Sequence, residues 1–503
     1  MARRRMPSRS GKGTKPKRNP PPQGRAALRR LPISLRQECP RRVQSLRNTT
    51  RRLQLCNRLM HCSLTAITPT ATPSEPVTLF AMTCHDLHIP VWRRRRAHPS
   101  KKKPRTKMPQ IATAFQEARL RPWLRDILLP FWATTGFDSV AGAFVEKFEP
   151  SGAPTAEGYT RVRVQARQIF VFSHAAVAGY SDTGLDCATR AFAFLEDHAW
   201  DRKHGGWFHR LARGGAALDR SKDSYDHAFL LLAMAWLYRA GGDARVLRRA
   251  EETMNFIEIA LGRSRGGTFD GYSEQQVAPG SALPLPRRQN PHMHLLEAFL
   301  ALHEASGDPQ WLTHAERIYG LFQRYFFDSA AGQLVEFFDR DWREMPQDGR
   351  RLREPGHFFE WAWLLHRYAA RTGDETTMTA LRPLYAWAWE KGVDREGNAP
   401  CVAFEALDPA GNVLAGGSKR LWPQCEAVKA ALAVHEGFGD DAALDQARLL
   451  LGGLFATFAD LGRPDWREQV DRDGRLIRPG MPSSSLYHLY LATAEAVRVL
   501  PQT

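Results

Sequence analysis

Acidic residues are almost missing from the first 107 positions, which hold 3 Asp+Glu against 27 Lys+Arg, a balance of +24. The whole chain has 71 basic and 53 acidic residues, so the rest holds 71 − 27 = 44 against 53 − 3 = 50, a balance of −6. The net charge of +18 therefore belongs to the leader alone. The leader also has no hydrophobic run long and clean enough for a signal peptide or a membrane-spanning helix. Cysteine is scarce where the chain is globular. Beyond residue 107 only Cys187, Cys401 and Cys425 occur, in no CxxC or metal-type spacing. That argues against a disulfide scaffold and for a reducing, cytoplasmic setting.

The leader is rich in Arg, Pro, Ser and Thr, with runs such as RRRMPSRSGKGTKPKRNPPP and WRRRRAHPSKKKPRTK. It has no sustained period and too little apolar mass to offset chain entropy, so residues 1–107 read as disordered. As a basic arm it would bind nucleic acid or an anionic surface. As a translated upstream region it would leave Met108 as the true start. The remaining 503 − 107 = 396 residues suffice for one sizeable domain, 108–503, and nothing in them points to nucleic acid.

Period 3.6 predicts about a dozen amphipathic helices, over 112–134, 164–180, 185–199, 225–240, 245–262, 291–306, 310–326, 357–371, 374–391, 423–437, 441–459 and 484–498, with little convincing strand. Short Gly/Asp turns at 241–243, 306–309 and 371–375 alternate with long links at 263–290, 327–356 and 392–422. Alternating short and long links make helical hairpins side by side with one set of loops enlarged. Polar residues interrupt the apolar pattern near the start of every second helix: Arg167, His227, His294, His357, Glu426 and His488. Their separations are 60, 67, 63, 69 and 62 residues, a repeat near 65 that gives six helix pairs. The expected fold is all-α, an (α/α)6 barrel whose inner helices aim their N-termini at one cavity. An open solenoid of the same pairs is the alternative.

The converging set is Arg167, Tyr225, His227, His294, Glu297, His357, Glu360, Gln424, Glu426 and His488, with HxxE spacing at His294–Glu297 and His357–Glu360. Three chemistries compete for it. Imidazole with carboxylate suits a zinc or manganese site, but HExxH is missing and the alternating His292 and His294 point to different sides of a helix, so no metal is expected. A glycoside hydrolase would use two of the carboxylates and leave the histidines without a task. Proton transfer beside a sugar carbonyl uses every member: a histidine base working near neutral pH, a carboxylate orienting it, and an arginine steadying an enediolate. Phe170, Tyr225, Trp361, Trp363, Trp422 and Tyr487 lie beside these positions, as core or as stacking faces for a sugar. Arg287, Arg288, Lys419 and Arg420 would favour a phosphorylated sugar if they face the pocket, or form a solvated loop face if not.

At these residues the chain resembles the N-acylglucosamine 2-epimerase superfamily, in QARQIFVFSHA, DRKHGGWF, DHAFLLLAMAWLYRA, RRQNPHMHLLEAFLALHE, EPGHFFEWAWLL, KRLWPQCEAVKAAL and the late YH of SSSLYHLYLA. The resemblance covers 108–503 and none of the leader, and is greatest to the mannose isomerase branch and its mannose-6-phosphate isomerase relatives, so a mannose-6-phosphate isomerase is a further alternative. It implies a metal-independent barrel enzyme without cofactor that interconverts an aldose such as D-mannose with its ketose, or epimerises a sugar at C2, through an enediolate. It implies catalytic His294 and His488 with Glu297 in support. Arg167, Tyr225, His227, His357, Glu360, Trp361, Gln424 and Glu426 would bind the sugar. A monomer or homodimer acting on a small sugar, without membrane or nucleic-acid partner for the barrel, is expected.

Overall fold

In the computed structural model the described residues are 116–283, 286–396 and 401–501. The expectations for the leader and for a start at Met108 lie outside them.

Among the described residues twelve helical segments follow one another: α1 over 120–134, α2 Val162–Val177, α3 Gly184–His198, α4 Ser224–Gly241, α5 Ala244–Phe256, α6 Gln289–Ser306, α7 Gln310–Leu321, α8 Pro355–Thr372, α9 Met378–Trp387, α10 Leu421–Phe438, α11 Asp441–Thr457 and α12 Leu486–Val499. The even-numbered helices are buried nearly all round, as in Ala228–Ala235 of α4 and Leu295–Leu302 of α6. The odd-numbered helices are amphipathic and bury one stripe, as Val246, Ala250, Thr253 and Met254 do in α5. Apolar contact on all sides makes the even helices an inner ring and the odd ones an outer ring. Along the inner ring each helix packs on the next, and α12 returns to pack on α2. That closure excludes the open solenoid.

The back turns have a common cause. Helices α4, α6, α8 and α10 end at Gly242, Gly307, Gly373 and Gly439, with φ of 71°, 73°, 72° and 63°. This left-handed cap closes a helix and strains any residue with a Cβ. The next residue is Asp each time, and Asp243, Asp308, Asp374 and Asp440 accept backbone N–H bonds that start the following element.

The front loops contain short strands that period 3.6 does not reveal, the longest being Thr268–Tyr272. Most are only two to four residues long, too short for a period-2 signal. They form one recurring device. The residues entering each inner helix pair antiparallel with a neighbouring repeat's loop: Tyr159–Arg161 with Arg210–Ala212, Lys222 with Gln276, Arg287–Arg288 with Phe337–Phe338, Arg353 with Leu407, Lys419–Arg420 with Gln469–Val470, and Met481–Pro482 with Lys147–Phe148. Every inner helix thus begins from a pinned strand, which fixes the direction of its first turn. Among the described residues no helix is long and apolar enough to cross a membrane.

Candidate active site

The inner-helix N-termini surround a cavity of about 240 Å³. Which side chains reach it follows from position within the helix. With about 100° of rotation per residue, the second, third and sixth positions share one arc and the fourth points away. The second positions supply Tyr225, Asn290 and Trp422, the third His357 and His488, and the sixth Arg167, His294 and Glu360, all of which line the cavity.

The fourth positions do other work. His227 receives an N–H bond from Trp207 at Nε2 (3.0 Å) and places Nδ1 2.7 Å from the Asp223 carbonyl. His292 does the same with Tyr272 N (3.0 Å) and the Arg288 carbonyl (2.9 Å). Gln424 bonds Ala403 N and donates to the carbonyls of Ala403 and Arg420, and Gln165 makes the matching pair of bonds to Phe144. These side chains tie the front loops to the helices. His227 and Gln424, expected at the sugar, are therefore held away from the cavity with their polar atoms engaged. Trp361 is fully buried, donates to Gln289 Oε1 (2.6 Å) and stacks on Phe322, so it belongs to the core.

Three buried histidines reach the cavity, each with Nδ1 at a carboxylate. His294 meets Glu297 at 3.2 Å, and the Tyr487 hydroxyl donates to the other Glu297 oxygen at 2.5 Å. His488 meets Glu426 at 2.7 Å, and Glu426 in turn meets Lys429 at 2.6 Å. His357 meets Glu336 at 2.9 Å and lies 3.7 Å from Glu354, with Asn290 at 3.0 Å from its Nε2. The Trp422 ring centroid is 5.1 Å from His357 and 5.8 Å from His488, so the indole joins the two histidines. Arg167 lies over the Phe229 ring and is held by Tyr225 Oη (2.7 Å) and the Ser484 carbonyl (2.9 Å). Glu336, Glu354 and Asn290 escaped the sequence reading. The carboxylates lie in loops outside the helical repeat, and Asn290 falls in line with Tyr225 and Trp422 only when positions are counted from the helix starts.

Electrostatics divide the histidines. Burial holds His488 well below the usual imidazole range, and the charges of Arg167 and Lys429 add to it. Burial also lowers His294, with Glu297 only partly restoring it. Burial would lower His357 too, but Glu336 and Glu354 outweigh it and raise the imidazole to about 10. Burial and the neighbouring Glu426 push Glu360 well above the carboxylate range. The surroundings thus favour neutral rings at His294 and His488, a charged ring at His357 and a protonated carboxyl at Glu360.

Three side-chain sets bring one ligand-type atom each within 4.8 Å of one another: His294, Glu297 and Glu360; Glu336, Glu354 and His357; Glu360, Glu426 and His488. The imidazolium of His357 sits inside the second set. Lys429 faces Glu426, Glu360 and Glu297, which serve the other two.

A closed barrel of six helix pairs with bases and acids converging on the inner N-termini is an acid–base enzyme of the (α/α)6 class. The chain belongs to the N-acylglucosamine 2-epimerase family, whose model matches residues 142–492, and it is an enzyme of isomerase type in the mannose isomerase-like branch. It is 34% identical over 392 residues to a mannose-6-phosphate isomerase of Rhizobium meliloti (strain 1021), covering 76% of this chain and 96% of that one. It is 30% identical over 357 residues to a D-mannose isomerase of Pseudomonas cannabina pv. alisalensis, covering 65% and 81%. A crystal structure of D-mannose isomerase shares the fold with a TM-score of 0.68 at 21% identity, covering 78% of this chain and all of that one.

Proposed function

We propose that the protein is an aldose–ketose isomerase of the D-mannose to D-fructose type, working by histidine proton transfer through an enediolate. The observation that carries this is the convergence of three buried histidines on one cavity, each with Nδ1 at a carboxylate and His357 alone between two. Ring opening needs an acid at the ring oxygen, while proton transfer between C2 and C1 needs a neutral base. His357, as imidazolium, protonates O5 as the C1–O5 bond breaks and the anomeric hydroxyl proton passes to neutral His294. His488 then removes the C2 proton. The C2–H electrons form the C1=C2 bond, and the C1=O1 electrons move to O1, where Arg167 and the Glu360 acid meet the developing charge. His294 delivers the anomeric proton to O1; return of the proton from His488 to C1, with loss of the O2 proton to the freed His294–Glu297 pair, then gives the open ketose, and ring closure passes the His294 proton to O2 and the ring-oxygen proton back to His357. Trp422, between His357 and His488, offers the pyranose a stacking face.

The mouth of the cavity favours an unphosphorylated sugar. Arg288 and Arg420 reach the cavity but already face Glu274 at 2.7 Å and Glu468 at 3.1 Å. Arg287 and Lys419 are buried and face Asp270 at 3.1 Å and Asp394 at 2.7 Å. A phosphate dianion would have to compete with those carboxylates. The buried free thiols of Cys187, Cys401 and Cys425 suit a reducing cytoplasm.

The test is proton NMR of D-mannose in D2O with the full chain after EDTA treatment, beside His294→Ala and His488→Ala. Fructose with the wild type alone supports the reading. Glucose without fructose means a 2-epimerase. No exchange with mannose, mannose 6-phosphate, N-acetylmannosamine or cellobiose refutes it.

A further inference from the structure

Lys429 lies one turn beyond Glu426 on α10, and both side chains are fully excluded from solvent. An ammonium in a barrel core is costly unless strongly paired, so its surroundings matter. Its Nζ is 2.6 Å from Glu426 Oε2 and 4.1 Å from the Trp363 ring centroid, with the Tyr487 ring at 5.9 Å. Glu426 on α10, Glu360 on α8 and Glu297 on α6 all act on it electrostatically, and they hold its proton more tightly than burial alone would allow. One cation therefore serves the three carboxylates beneath the cavity. The Glu426 carboxylate is divided: Oε2 faces Lys429 and Oε1 faces His488 Nδ1 at 2.7 Å.

We propose that Lys429 is a positioning residue for the reaction: its buried ammonium keeps Glu426 a carboxylate that accepts from His488 Nδ1–H, leaving Nε2 of His488 bare toward the cavity. The proposal rests on the isomerase reading for its kinetic arm only. Without the ammonium, Glu426 keeps only the weaker pull of His294 and His357 in a site where burial already favours its protonated form. A protonated Glu426 donates to Nδ1 and forces the proton of the neutral ring onto Nε2, which removes the base. The alternative response, proton uptake by His488, removes the base equally. Lys429 also opposes protonation of His488 directly, together with Arg167 and His294. Both routes place the proton on the Glu426–His488 pair at a higher pH than in the wild type.

The tautomer is read first, in the wild-type full chain, from histidine ring-nitrogen NMR shifts with His488→Ala for assignment. The neutral Nδ1–H form at pH 7 is expected. An Nε2–H ring or an imidazolium there overturns the proposal without any substrate or further variant. The kinetic arm compares Lys429→Met with Lys429→Arg. Lys429→Met is expected to lower kcat at pH 7 by about 100-fold or more, the scale of a lost general base. Its KM should stay within about threefold and the acid limb of kcat/KM should move to higher pH. Lys429→Arg keeps the charge and should keep the limb in place. A wild-type kcat and limb in Lys429→Met, or equal damage by both substitutions, overturns it. Absence of turnover in the wild type counts against the isomerase reading instead, and the tautomer result still decides this one.

Discussion

Glu336→Gln tests the division of acid and base directly. His357 Nδ1 lies 2.9 Å from Glu336 and 3.7 Å from Glu354, and these carboxylates raise a buried imidazole to about 10 against the pull of desolvation. An opposite charge at such range moves a pKa by about 1–3 units, each worth about 1.4 kcal/mol. Removing Glu336 should therefore bring His357 down to roughly 7–9, with Glu354 still in place. The amide oxygen introduced can still accept from Gln289 Nε2, which now bonds Glu336 at 2.8 Å, so the fold should survive. The assay is kcat for D-mannose from pH 5 to 10.5. In the wild type the acid form is present below about 10 and is lost as pH rises through that value, so activity should persist to alkaline pH. In the variant the alkaline limb should fall into the range of roughly 7–9, leaving between about a hundredth and about half of the wild-type rate at pH 9 while pH 6 is little changed. Stability follows the same sign. A raised histidine contributes stability that is fully present below its unfolded value and lost as pH rises through about 10, so the variant's deficit in urea should be largest in acid and shrink toward pH 10. An unmoved limb, or a uniform loss at every pH, would refute the assignment.

The remaining predictions concern separate parts of the molecule. His488→Ala should abolish C2 proton exchange into D2O, lowering kcat by about 10²–10⁴-fold with intact folding, as followed by NMR and far-UV circular dichroism. His227→Ala should do the reverse: kcat stays near wild type while urea unfolding loses about 1–3 kcal/mol, because Trp207 N–H is left buried and unpaired. Gly373→Ala should cost about 1 kcal/mol, since its φ of 72° closes α8, and leave KM unchanged. Turnover should be the same before and after exhaustive EDTA dialysis; loss restored by Zn²⁺ or Mn²⁺ would place an ion among the cavity carboxylates.

The barrel was legible because each inner helix is apolar around most of its circumference and each outer helix only along a stripe, a contrast that periodicity detects directly. The Gly-Asp back turns were legible for a similar reason, since left-handed caps demand specific residues. The site was legible in type but not in register. Marking any polar interruption as a repeat landmark mixed fourth-position His227 with sixth-position His294 and third-position His357 and His488, which is why the spacings scattered from 60 to 69. Inner-helix starts are separated instead by 62, 65, 66, 66 and 65 residues. A histidine on a loop-facing arc and one on a cavity-facing arc look alike in a sequence until the helix start is known to within one residue. Glu336 was out of reach because a loop carboxylate carries no period and its meeting with His357 depends on the strand pairing of Arg287–Arg288 with Phe337–Phe338, whereas Glu354, the residue before α8, meets His357 locally, three residues on.

The pairing of Met481–Pro482 with Lys147–Phe148 joins the last repeat to the first by the same strand device that joins all the others. Connectivity in the ring is thus nearly circular, and the order of repeats along the chain is a convention of where synthesis starts. Cutting at the back, in a turn such as Gly307–Asp308, would leave all six strand pairs intact; cutting at the front would break one. A circular permutant opened at the back turn and joined across the native ends should assemble the same cavity, whereas truncation before Met481 removes both a strand partner and the helix that carries His488.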